Sequence, residues 1–153
     1  MHGSVGQAML QAPCLYVIMN MMKIFISDVV IIEDNKVLLV QEKKQMAYGL
    51  WNFPGGKLEQ GETPEQAAYR EVREELSVEL INPRFVKIYL VNSSGVDLEL
   101  NTFTGSIEGH VKIKDDEILA YGWFSLESVE DMKDKLRGPI ILEQIREALA
   151  LPN

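Results

Sequence analysis

GKLEQGETPEQAAYREVREELSV, Gly56 to Val78, decides how this chain folds. Thr63 to Leu76 within it predicts a helix. Thr63 suits the N-cap, Pro64 suits the first helical position, and Gln66 completes a T-x-x-Q capping box. Ala68, Val72 and Leu76 recur every fourth residue and mark a core-facing stripe. Away from that stripe, Glu71, Glu74 and Glu75 stand at i, i+3 and i+4, which places three carboxylates side by side. Like charges at such spacings destabilise a helix by roughly 0.2–0.5 kcal/mol per pair. A solvated face tolerates that cost, and so does a face that holds a divalent cation. Carboxylates are the hard oxygen ligands magnesium prefers, and magnesium takes water and substrate phosphates as its further ligands. The Gly55-Gly56 turn just ahead can bring backbone carbonyls to the same place. Spacing alone leaves the bland surface and the metal site both open.

The same segment resembles the Nudix box, whose pattern is G, five residues, E, seven residues, R-E, an aliphatic residue, any residue, E-E, any residue, G, an aliphatic residue. Gly56 opens it, Glu62 follows after five residues, and Arg70-Glu71 after seven more. Val72 is the aliphatic position, Glu74-Glu75 the acidic pair and Val78 the closing aliphatic, while Ser77 replaces the closing glycine. If Ser77 keeps the left-handed turn that a glycine supplies there, the substitution costs roughly 1 kcal/mol. It removes no carboxylate. WNFPGGKLEQGETPEQAA (Trp51 to Ala68) is similar to the entry of the box in the MutT-like branch. Ile118 to Phe124, preceded by Glu117, looks like the family's late strand. The resemblance implies an α/β fold: a Nudix-type α/β/α sandwich with a mixed β-sheet and the box as loop-helix-loop.

The flanking sequence agrees with a layered fold. Lys23 to Glu33 and Lys36 to Gln41, rich in Ile and Val around an Asp34-Asn35 turn, predict a hairpin. Tyr48 to Phe53 reads as extended, and Pro54-Gly55-Gly56 as a break in regular structure. Val78 to Ile81, Arg84 to Val91, Leu98 to Ile107 and Ile118 to Phe124 predict strands. Leu126 to Leu136 predicts a short helix, and Pro139 starts a last one with Ile141, Ile145 and Leu149 on one face. With no repeat or linker, residues 22–153 read as one domain and residues 1–21 as an N-terminal extension, a remnant of cloning or the product of an upstream start. Its uncharged Leu15 to Met22 suits a strand added at a sheet edge, or a homodimer contact.

Composition narrows the function. Fifteen basic against 23 acidic residues give a net charge of −8, with no basic run. That disfavours polymeric nucleic acid as a partner. The longest charge-free apolar stretch, Met9 to Met22, is interrupted by Gln11, Pro13 and Asn20, so no membrane span is expected. A single cysteine, Cys14, excludes an internal disulfide and fits a reducing, cytoplasmic setting.

What the resemblance implies is a hydrolase of nucleotide phosphoanhydrides that uses Mg2+, with Mn2+ as a possible substitute. Glu71, Glu74 and Glu75 become metal ligands or activators of water, and the Gly55 or Gly56 carbonyl adds an oxygen. Arg70 either orients those glutamates or makes an ordinary surface pair with Glu74. Glu62 supports it. Glu117 is either an extra acidic ligand or base, or an exposed loop acid. For the substrate, Lys57 offers a phosphate contact, while Lys43 and Lys44 read more simply as surface lysines. Trp51 and Tyr89 offer rings on which a base can stack, with core packing as the competing role. The MutT-like entry favours a (deoxy)nucleoside triphosphate, cut to monophosphate and pyrophosphate. The alternatives are an ADP-ribose or sugar-nucleotide pyrophosphatase and a non-catalytic nucleotide-binding domain.

Overall fold

A computed structural model describes residues 23–152. The chain first folds as a hairpin of β1 (Lys23–Glu33) and β2 (Lys36–Glu42). Its two turn residues, Asp34 and Asn35, take φ of 51° and 58°. That is the two-residue turn whose twist matches the flanking strands, and Asp and Asn tolerate it better than most side chains. The strands pair only beside the turn, Ile32 with Val37 and Glu33 with Lys36, and then part.

Each strand recruits its own neighbours. β1 runs parallel to β6 (Val96–Glu108) over nine pairs, from Lys23 with Asp97 to Ile31 with Gly105. β5 (Glu79–Ser93) lies antiparallel on β6 and forms the sheet edge. On its other side, β1 pairs through Ile26, Ser27 and Asp28 with β4 (Gly55–Lys57). β2 lies between β3 (Trp51–Asn52) and β7 (Ile118–Phe124), both antiparallel to it. The seven-stranded mixed sheet is thus split along the seam between β1 and β2.

Alternation along β1 sends successive residues to opposite layers. Val29 and Ile31 pack with Ala68, Val72 and Leu76 of α1 (Pro64–Leu76), together with Leu38, Val40 and Phe103. Val30 packs on the other face with Val37, Leu39, Phe53, and Ile141, Ile145 and Ala148 of α3 (Ile140–Ala150). The α/β/α sandwich expected from the sequence is the fold observed. The α3 side also buries a polar cluster. The Thr102 hydroxyl donates to Asp28 Oδ1 at 2.7 Å, and the Gln144 amide donates to Asp28 Oδ2 at 2.9 Å and to Thr102 Oγ1 at 2.8 Å.

Several local expectations change. Gly55 to Lys57 is a short strand, because its backbone is the partner β1 needs where β2 departs. The two strands expected over Val78 to Ile81 and Arg84 to Val91 are one edge strand, Glu79–Ser93. The break expected at Asn82-Pro83 is a register shift between Ile81 and Arg84, with Asn82 at φ 47°. An edge strand admits a proline that has no N–H to offer. Leu126 to Leu136 divides into α2 (Leu126–Asp131) and a 3-10 turn at Lys133–Lys135. The buried face of α3 is Ile141, Gln144, Ile145 and Ala148, and Leu149 is 43 % exposed. The stretch Leu15 to Met22 lies outside the described residues.

Candidate active site

The site is built where α1 meets β1 and β4. At the start of α1, Thr63 Oγ1 accepts the Gln66 N–H at 3.1 Å and Gln66 Oε1 accepts the Thr63 N–H at 3.0 Å, the reciprocal capping box. The Ser27 hydroxyl donates to the Pro64 carbonyl at 2.7 Å and fixes that end of the helix to β1. At the other end Ser77 takes φ 58°, ψ 33°, and its N–H reaches the Arg73 carbonyl at 3.0 Å. The left-handed turn of a closing glycine is therefore kept by a serine.

Gly55 is required by close approach of backbone, whereas Gly56 is approached only by the end of the Glu71 side chain. A Cβ on Gly55 would overlap the Ser27 carbonyl and come within 2.8 Å of Asp28 Cα. A Cβ on Gly56 would lie 2.5 Å from Glu71 Oε1. The Gly55-Gly56 backbone thus faces the carboxylates of α1 with no side chain between them.

Arg70 organises the near side of this face. Its Nε and Nη2 donate to the two Glu62 oxygens at 2.7 and 2.8 Å. Nη1 donates to Glu71 at 2.8 Å and to Glu74 at 3.2 Å, and Nη2 also donates to the Lys57 carbonyl at 3.1 Å. One guanidinium thereby ties the box loop to two glutamates of the helix, which the fixed fork of arginine allows and lysine does not. The hydrogen bond to Glu62 is the main reason its proton is held more tightly than usual. In turn, Arg70 holds the Glu62 carboxyl below the ordinary range.

Glu75 is placed differently. It is only 7 % exposed, and its Oε1 accepts the Gly55 N–H at 3.3 Å. Burial, then the hydrogen bond and charge of Glu71, and finally the charge of Glu42 push its carboxyl well above the usual range. Glu42 was not singled out from the sequence. Its signal is strand alternation, since Leu38 and Val40 face α1 and Glu42 continues their row to the sheet end. The Asn52 amide donates to it at 3.4 Å.

Glu117 ends a strap that crosses the C-terminal end of α1. Lys112 and Lys114 donate their N–H groups to the carbonyls of Leu76 and Glu75 at 2.9 and 3.0 Å. The Glu117 carbonyl accepts the N–H of Lys43, next to Glu42, at 3.0 Å, and its side chain pairs with Lys114 at 3.2 Å. Arg70, Glu71, Glu74, Glu75, Gly55, Gly56 and Lys57 are therefore brought together, with Glu117 at their flank. Trp51 and Tyr89 are not part of this group. Trp51 stacks edge-on against Phe124 at 5.0 Å within the α3-side core. Tyr89 is 5 % exposed, opposite Leu100, and its hydroxyl has no hydrogen-bond partner among the described residues. Burial, with the charges of Glu147, Glu143 and Asp28, pushes that hydroxyl up to about 12.

The donor set suits a hard divalent cation: a buried carboxylate beside two others, with an open glycine backbone against them. Among the described residues, no three His, Cys, Asp or Glu side chains converge closely enough to chelate an ion as they stand. Glu71 and Glu74 are instead turned toward Arg70.

Comparison with known proteins agrees with this geometry. Residues 24–144 match the NUDIX domain, and the chain belongs to the Nudix family. It is 31 % identical over 128 residues to putative nudix hydrolase 1 of Caenorhabditis elegans, an alignment covering 76 % of this chain and 32 % of that protein. It is 37 % identical over 87 residues to the CTP pyrophosphohydrolase of Escherichia coli K12, covering 53 % of this chain and 64 % of that protein. The chain thus spans about a third and somewhat under two thirds of these relatives. Among solved structures, a NUDIX hydrolase from Nitrosomonas europaea superposes with a TM-score of 0.77 at 28 % identity, over 84 % of this chain and 89 % of that one. No helix among the described residues is long and apolar enough to cross a membrane.

Proposed function

We propose that this chain is a magnesium-dependent hydrolase that cuts a phosphoanhydride bond of a (deoxy)nucleoside triphosphate, releasing a monophosphate and pyrophosphate. The observation that supports the reading is Glu75, a carboxylate only 7 % exposed that lies against Glu71 and accepts the Gly55 N–H. A divalent ion bound by Glu71, Glu74 and Glu75 would offset their charge, neutralise phosphate oxygens and lower the pKa of a water. The chain's own groups do the rest. Glu71, Glu74 and Glu75 offer ligand oxygens, and the Gly55 and Gly56 backbone leaves room for a phosphate to approach. Arg70 keeps two of the glutamates in register with the box loop, and exposed Lys57 meets a phosphate oxygen. Glu117 supplies a further carboxylate from the flank. The triphosphate is preferred because the E. coli relative is named for CTP.

The test is a panel of nucleoside triphosphates, oxidised triphosphates, ADP-ribose and sugar nucleotides with Mg2+, with products identified. We expect pyrophosphate and a monophosphate from one triphosphate. Activity should vanish in excess chelator and return with Mg2+ or Mn2+. The Glu74→Gln/Glu75→Gln variant should lose more than roughly a hundredfold, the upper range for groups that merely support metal ligands. Two monophosphates from ADP-ribose would move the substrate class. Turnover that survives the chelator would overturn the mechanism, and nucleotide binding without turnover would leave a binding domain.

A further inference from the structure

We propose that Lys114 is a positioning residue for Glu117: its ammonium holds that carboxylate beside the α1 face and yields it to a divalent cation bound there. This rests on reading Glu71, Glu74 and Glu75 as a cation-binding face. The strap that carries both residues is anchored. Val111 and Ile113 pack into the α1-side core, and the N–H groups of Lys112 and Lys114 take up the last helix carbonyls. Lys114 therefore starts one backbone hydrogen bond from Glu75 itself. Its carbonyl accepts the N–H groups of Glu117 and Ile118 at 3.0 and 2.9 Å, a tight turn that brings the Glu117 side chain back onto its own ammonium at 3.2 Å.

The surrounding charges define what this contact does. Lys114 is thus tied through its backbone N–H to Glu75 of the helix face while its ammonium is bonded to the carboxylate on the strap. On the far side, the Glu117 carbonyl is fixed to Lys43, whose neighbour Glu42 acts on Glu75. Glu117 is therefore fixed on one side by Lys114, which is bonded to Glu75, and on the other by Lys43 at the end of β2. The two flanks of that face are unequal. Arg70 is locked by five hydrogen bonds, whereas Lys114 and Glu117 form a single pair with both side chains 40 % exposed. Such a pair is weak and readily exchanged. A divalent cation on the face attracts Glu117 and repels Lys114 at the same time.

Direct Mn2+ binding, followed by electron paramagnetic resonance of the free ion, tests this without relying on turnover. Wild type, Lys114→Met, Glu117→Gln and the double variant form a cycle. The substitution at 114 keeps the backbone N–H that holds the strap to Glu75. Lys114→Met should bind Mn2+ about two- to fivefold more tightly, the range an exposed ion pair allows. Glu117→Gln should bind it more weakly, and the double variant should match Glu117→Gln alone. Lys114→Arg should stay near wild type. A Lys114→Met effect of the same size with and without Glu117 would overturn the proposal, since Lys114 would then act through its field alone. No effect at all would also overturn it. Absence of Mn2+ binding by wild type would instead sink the cation-face reading on which the proposal stands.

Discussion

Asp28 is an acid in a strand that otherwise feeds the core, and the fold surrounds it with Thr102 and Gln144. Burial outweighs those hydrogen bonds and pushes its carboxyl from 3.8 up to about 6. Between those values the folded chain holds a proton that the unfolded chain has released. Its contribution to stability is therefore full below about pH 4, falls as pH rises through the window and is level above about 6. At 1.36 kcal/mol per unit the swing is on the order of 3 kcal/mol. Urea unfolding of wild type and Asp28→Asn at pH 4.5 and pH 7 should show the wild type losing ground to the variant at the higher pH. Parallel behaviour of the two would show that Asp28 does not titrate there. The sequence displays Asp28 openly but not its partners, which come from β6 and α3, 74 and 116 residues away. Glu71, Glu74 and Glu75 were legible because helical spacing alone makes them neighbours. Glu42 was not, because its approach to Glu75 depends on how a strand end meets a distant helix.

The element read most completely is α1, since its start is written locally in Thr63, Pro64 and Gln66 and its core stripe repeats every four residues. Its end holds the one departure from the box. Ser77 at φ 58° carries the cost of a left-handed turn with a Cβ attached. Ser77→Gly should raise unfolding free energy by about 1 kcal/mol. The check is a shift of the urea midpoint at constant slope; a variant that is no more stable would mean that the serine is not strained. Other elements were read less well for reasons outside themselves. β5 looked like two strands because Pro83 interrupts the pattern, and only the register on β6 shows that the ladder resumes. The last helix suggested Leu149 as a core residue, yet Gln144 takes an inward position because Asp28 and Thr102 need its amide.

Across the whole molecule, the split sheet is what makes the site possible. β1 and β2 part after two pairs, and the gap admits Gly55 to Lys57 as a strand against β1. The layered α/β/α arrangement was legible in the order of strands and helices together with the box. The seam was not, because no local pattern says where two paired strands stop pairing. The parallel ladder of β1 with β6 has a consequence for how the chain reaches this state. Its partners lie about 74 residues apart, and the box loop and α1 lie within the loop that their pairing closes. Closing so long a loop costs chain entropy before any contact offsets it, so non-local parallel pairing forms slowly. The capping box and helical spacing need no such closure. On dilution from denaturant, far-ultraviolet helical signal should therefore recover ahead of Mn2+ binding, and binding should rise with the slow phase that completes the sheet. Completion of these nine pairs, beside the β4 pairing that sets Gly55 near Glu75, would then set the time at which a newly made chain first becomes able to bind a divalent cation.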